Sequence, residues 1–268
     1  MDRPTVTGTL LDFDLLDDLA LGVERGRVSL DELAPIAAER IGPAIEAIAL
    51  ASQWERCAQP SLHWLNRTHL APLFRDAIDQ QTSSQRMGGN IGWISSDKFA
   101  DRPSWTGFLM QVSSAVKAEG FDNRTKSGLM AMLGEFHSNV LEHSDSVEGR
   151  FSAYSASTNG IEVIISDRGR GVLSTINENP TYADLKDAGR ALKLAVTDGV
   201  SRHDDPLRGH GFTHLFEGLA NRFNHIRLRS GDHTLEVRRE DGSRPSEWIS
   251  QKASFPGFSI YAFFERAA

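Results

Sequence analysis

Residues 150–172 read R-F-S-A-Y-S-A-S-T-N-G-I-E-V-I-I-S-D-R-G-R-G-V. Two runs of β-type residues flank Thr158-Asn159-Gly160. Asn-Gly between such runs favours a tight turn with left-handed dihedrals, so the stretch predicts an antiparallel hairpin. The second run is a buried strand that ends in Asp167, and Gly169 and Gly171 follow at once. A carboxylate at a strand end can accept a hydrogen bond from an amino group on a flat heterocycle. The glycines let the backbone approach such a ligand without a Cβ clash. On its own, D-R-G also suits an ordinary strand-to-loop turn. G-R-G lacks the third glycine and the βαβ setting of a dinucleotide fingerprint.

Upstream lies G-E-F-H-S-N-V-L-E-H-S-D (134–145), preceded by L-M-A-M-L. Leu129, Met132, Leu133, Phe136 and Val140 recur at three- and four-residue spacing, which predicts a helix from about Thr125 to His143 with one buried stripe. Glu135, Asn139, Glu142 and His143 fall within about 100° of arc and share a neighbouring face. A carboxylate can deprotonate a nucleophile, and an amide oxygen one turn on can bind a hard cation. A solvated polar face is the alternative reading of that helix alone. His137 and Glu142 are read as helix surface.

Downstream, R-G-H-G-F-T-H-L-F (208–216) places Gly209 and Gly211 before an amphipathic helix over 212–223. Open N–H groups at a helix start suit an anion, and Arg208 adds positive charge. The Walker motif is absent. His210 and His214 have the spacing of helical zinc ligands, but no cysteine pair or clear third ligand accompanies them.

The rest of the chain sets the frame. Of 268 residues, 40% are hydrophobic and 24% charged, an ordinary globular balance. Ser29 and Glu32 resemble a capping box opening a helix toward Arg40. Pro43 sits near the start of a second helix, a third is expected over 69–80, and 81–90 reads as a loop. Helices are also expected over 108–117 and near 185–197. Residues 226–230 and 233–239 predict a second hairpin about Gly231-Asp232, and 258–265 a closing strand. Arg222, Arg227, Arg229, Arg238 and Arg239 are most simply a solvated hairpin face. The class is α+β with mainly antiparallel pairing. A net charge of −7 argues against non-specific nucleic-acid binding. One cysteine, Cys57, excludes an internal disulfide framework and suggests a reducing compartment. There is no run of about 18 apolar residues and no leader pattern, so a cytoplasmic protein without a membrane span is expected.

Taken in order, the three motifs resemble the GHKL superfamily of ATP-binding proteins, the Bergerat fold, over about residues 105–266. E-F-H-S-N is similar to its N-box, D-R-G-R-G to its first glycine box, and R-G-H-G-F to its second. The resemblance implies a two-layer α/β sandwich, a mostly antiparallel sheet with helices on one face, over 101–268. A mainly helical region, 1–100, precedes it and is expected to serve homodimerisation or partner contacts. By the same resemblance Glu135 is the general base, and Asn139 holds Mg²⁺. Asp167 bonds the adenine amino group, Gly169 and Gly171 shape the adenine pocket, and His143 lines the site. Gly209, His210 and Gly211 close on the phosphates of ATP, with Arg202 and Arg208 as phosphate contacts, and 173–207 forms the ATP lid. No phospho-acceptor motif surrounds His63 or His69, which argues against a histidine kinase. The implied function is slow, Mg²⁺-dependent ATP hydrolysis by a protein-regulatory switch with a protein partner. The alternatives are a serine/threonine kinase of the anti-sigma type acting on a small switch protein, and a nucleotide-sensing module that never turns ATP over.

Overall fold

The computed structural model describes residues 9–54, 62–66, 70, 73, 84–87, 90–146, 149–197, 223–239 and 243–266. Its helices are α1 (Phe13–Glu24), α2 (Ile41–Trp54), α3 (Ser96–Ala100), α4 (Arg102–Ala118), α5 (Asn123–His143), α6 (Gly171–Ile176) and α7 (Ala188–Ala195). Its strands are β1 (Ile36–Ala37), β2 (Leu65–Asn66), β3 (Ser84–Met87), β4 (Ile91–Ser95), β5 (Phe151–Ala156), β6 (Gly160–Asp167), β7 (His225–Arg238) and β8 (Ser246–Glu265). Six strands form one antiparallel sheet in the order β3-β4-β5-β6-β8-β7. β1 and β2 make a separate parallel pair. Among the described residues, no helix is long and apolar enough to cross a membrane.

The hairpin about Asn159-Gly160 forms, with Ala156 opposite Ile161. Every residue of β6 is buried, because helices cover both faces of the sheet. On one face Ile161, Val163 and Ile165 pack with Phe108 and Val112 of α4, Leu133 and Phe136 of α5, and Leu192 of α7. On the other, Ile164 and Tyr261 pack with Leu16 of α1 and with Ile45 and Ile48 of α2. The region before residue 101 therefore does more than precede the sheet. It supplies strands β3 and β4 and, among the described residues, the second helical layer of α1 and α2.

The helices start where side chains can satisfy open N–H groups. Asp12, Asp101, Asp122 and Asp187 cap α1, α4, α5 and α7 by accepting from Leu15, Ser104, Thr125 and Arg190 N–H.

Three local expectations are corrected. Ser29 makes no side-chain cap, and only a 3₁₀ turn, Leu30–Glu32, follows before the chain extends at Leu33. Pro35 follows two residues on, and helices usually end at or before the residue preceding a proline. Residues 84–87, read as loop, pair antiparallel with β4. The second hairpin does not exist: β7 runs through Gly231 and pairs with β8 along its length. Gly231 has φ +59 and lies between two register shifts, so it makes a bulge where a turn was expected.

The arginines of β7 are not a solvated face. Arg227 and Arg229 are fully buried, because strand alternation points them into the layer of α1 and α2. Arg227 binds Asp17 of α1 at 2.7 Å and Glu236 at 2.7 Å, and reaches Glu46 of α2 at 3.3 Å. Arg229 shares Asp17 at 2.7 Å and Glu46 at 3.2 Å, and Lys252 of β8 adds a contact to Asp17 at 2.9 Å. Opposite charges thus compensate one another in an interior that would not tolerate any of them alone. The helix expected over 69–80 and that over 212–223 lie almost wholly outside the described residues.

Candidate functional site

α5 carries the first half of the site. Leu129, Met132, Leu133, Phe136 and Val140 are buried, as the periodicity requires. Beside that stripe Glu135, Asn139 and His143 are half-buried, and Glu142 is exposed. Burial pushes the Glu135 carboxyl above the usual range, and the charge of Glu142 adds to the push. A raised carboxyl is a better proton acceptor at neutral pH than a free one.

His137 is corrected from surface to packed. Its ring stacks on Trp105 at 3.9 Å between centroids, and Nε2 lies 2.7 Å from the Phe99 carbonyl oxygen. Desolvation holds its pKa below the ordinary value. The side chain thus ties α5 to α3 and α4 and sits off the face of Glu135 and Asn139.

The second half is the end of β6. Asp167 is only 3% exposed, and its Oδ1 accepts the Gly169 N–H at 2.7 Å. Burial pushes its carboxyl up to about 6, against the opposing pull of that hydrogen bond and of the Arg150 charge. Oδ1 has one donor from the loop, and a carboxylate has acceptor capacity for more.

The two halves meet at the C-terminal end of α5. A Cβ on Gly169 would fall 2.0 Å from the Ser144 carbonyl oxygen, so only glycine fits there. The Arg170 N–H donates to that same oxygen at 3.2 Å, and Arg170 Nε donates to the His143 carbonyl at 3.0 Å. On the loop's other side the Ser230 hydroxyl accepts the Val172 N–H at 3.0 Å and donates to the Gly257 carbonyl at 2.8 Å. Gly257 has φ +80, and a Cβ there would fall 2.3 Å from the Asp167 carbonyl oxygen. Asp167, Gly169 and Gly171 are thus brought against the helix end that carries His143, one turn beyond Asn139.

Arg202, Arg208, Gly209, His210 and Gly211 lie outside the described residues. The described part of 173–207, residues 173–197, is folded: α7 buries Ala191 and Leu192 and pairs Lys193 with Glu247. Sequence reasoning passed over Ser144, Arg150, Arg170, Ser230 and Gly257. Only Gly257 left a trace, as half of a Pro-Gly pair that signals a bend.

The chain matches no protein-family model, no curated protein and no solved structure.

The residues present fit a nucleotide with its magnesium ion. A buried carboxylate at a strand end, backed by glycines, offers an acceptor for a heterocyclic amino group. Glu135 and Asn139 offer oxygens one turn apart, half open to solvent. That suits Mg²⁺, which usually keeps several waters and is shared between one or two protein oxygens and phosphates.

Proposed function

We propose that this protein binds Mg·ATP between α5 and the Asp167 loop and hydrolyses it slowly, as the switch of a protein-regulatory system. The observation that carries the reading is the placement of Asp167. A buried carboxylate that titrates near pH 6 is costly to the fold, and a site that recognises an amino group gives a reason to retain it. The N-box and glycine-box resemblance of 134–145 and 164–172 supports the same assignment.

In this reading Asp167 accepts a hydrogen bond from the adenine amino group, and Gly169 and Gly171 let the ring approach. Asn139 would hold the metal through its amide oxygen, and Mg²⁺ bound there would neutralise charge that develops on the phosphates. Glu135 accepts the proton of the attacking water. Its raised carboxyl lies closer to the pH at which a base is both deprotonated and strong enough to act. No residue in the described part of the site supplies a lysine or arginine finger, and slow turnover suits a switch. The glycine-box resemblance assigns the phosphate end to Gly209, His210 and Gly211, which lie outside the described residues.

Steady-state phosphate release tests this. Wild type should release phosphate from ATP only with Mg²⁺, and Glu135→Ala should abolish release while binding ATP as wild type does. Equal release by the two proteins overturns the role of Glu135.

A further inference from the structure

Asp167 and the pair Glu135 and Asn139 sit on different elements, β6 and α5. A nucleotide contacting both needs those elements in fixed relation, yet neither side chain bonds the other element directly. The connection runs through Ser144, which is 4% exposed at the end of α5.

We propose that Arg150 and Arg170 are positioning residues. Through Ser144 and the last carbonyls of α5, they hold the helix of Glu135 and Asn139 against the loop of Asp167. A helix leaves its final carbonyls without intrahelical partners. Here Arg170 satisfies two of them, His143 O through Nε at 3.0 Å and Ser144 O through its own N–H at 3.2 Å. Arg150 comes from the start of β5 and reaches the Ser144 hydroxyl with Nη2 and Nε at 3.3 and 3.4 Å. That hydroxyl donates onward to the Ser146 carbonyl at 2.9 Å. The chain then turns through Asp145, whose φ of 52 is the left-handed conformation that ends helices. Two guanidinium groups, one from the residue just before β5 and one from the loop just after β6, thus grip one helix end.

A surface role for Arg170 is the competing account. Its guanidinium pairs with Asp145 at 3.2 Å and with Glu178. Those carboxylates are 67% and 41% exposed, and exposed pairs hold little energy. The bonds to the helix end are separate from those pairs, so the two roles can be told apart.

The inference rests on the ATP reading. If the two halves are held together by this joint, loosening it weakens their cooperation while each half remains intact. The measurement is the ATP dissociation constant of the full chain, with and without Mg²⁺, for wild type, Arg170→Met, Arg150→Met and the double variant Asp145→Asn/Glu178→Gln. The constant without Mg²⁺ divided by the constant with it should fall about tenfold in each Met variant, since small displacements between cooperating groups carry large penalties. Measured near pH 8, well above the range in which Asp167 titrates, affinity without Mg²⁺ should stay within about twofold, because Asp167 is ionised and keeps its Gly169 bond. The double variant should keep the wild-type ratio. An unchanged ratio in both Met variants overturns the proposal, as does an equal loss in the double variant.

Deuterium exchange without nucleotide separates this idea from the ATP reading. In Arg170→Met, amides at 144–146 and 169–170 should exchange faster together while β6 is unaffected. Acceleration of one segment alone, or of neither, overturns the joint. Wild type that binds no ATP overturns the ATP reading and, with it, the positioning role, whatever exchange shows of the contacts.

Discussion

Gly169 lies so close to Ser144 that a Cβ on the glycine would fall 2.0 Å from the serine carbonyl oxygen. That oxygen also accepts the Arg170 N–H. Backbone cannot move aside as the tip of a long side chain can, so Gly169→Ala must displace the loop. It should destabilise the protein by about 1–3 kcal/mol, as overpacking does, and weaken ATP binding. Gly134 in α5 is the control, since nothing lies within 4 Å of a Cβ built there. Gly134→Ala should stabilise by about 0.5–1 kcal/mol through helix propensity. Thermal melting of both variants checks the opposite signs.

Asp167 makes stability and binding depend on pH in opposite senses. The folded chain keeps its proton up to about pH 6, whereas a free carboxyl loses it near pH 4. Between these values the folded state binds more protons, so stability falls as pH rises through the window and is level above it. At pH 7 the cost is about 3 kcal/mol. Asp167→Asn removes that cost, so it should raise the melting temperature at pH 7 and flatten this part of the profile. ATP affinity should move the other way. A protonated carboxyl loses the acceptor that an amino group needs, so wild-type affinity should drop as pH falls through 6. Asp167→Asn should bind weakly at every pH. A variant with wild-type affinity contradicts the adenine contact.

The charges under β7 should prove structural. Arg227→Met leaves Asp17, Glu46 and Glu236 with one fewer buried cation. Removing one partner of a buried network costs about 3–5 kcal/mol. Combining it with Glu46→Gln should recover part of the loss. Burial pushes the Glu236 carboxyl up, but a hydrogen bond from His225 and the nearby charges of Arg227, His225 and Arg238 outweigh it and hold the group at about 2. Its contribution is therefore present above the usual carboxyl range and is lost as pH falls toward 2. Urea unfolding at neutral pH measures the first effect, and a melt that ignores Arg227→Met would show the arginine to be dispensable.

What was legible in the sequence was local. The turn of the β5–β6 hairpin lies in three consecutive residues, and the buried stripe of α5 recurs every three or four. Asp167, Gly169 and Gly171 stood out because a strand run ends abruptly in them. β7 misled because Gly231-Asp232 has the chemistry of a turn. Its bulge is set by pairing with Phe255 and Phe258, which periodicity within β7 does not register. Arg227 and Arg229 looked solvated because their carboxylate partners in α1 and α2 lie 181–212 residues away. Arg170 drew no reading of its own between Gly169 and Gly171, since its contacts are with the end of α5 and are tertiary. His137 was misplaced for a similar reason: helical phase put it off the core stripe, yet α3 and α4 cover it.

The most direct test of the central claim compares ATP with its inosine counterpart, in which a carbonyl replaces the adenine amino group. Equilibrium binding at pH 7.5 in Mg²⁺ should favour ATP by about a hundredfold, because the Asp167 carboxylate would face an acceptor in place of a donor. Equal affinity for the two nucleotides, or no affinity for ATP, would contradict the assignment of Asp167 and the function built on it.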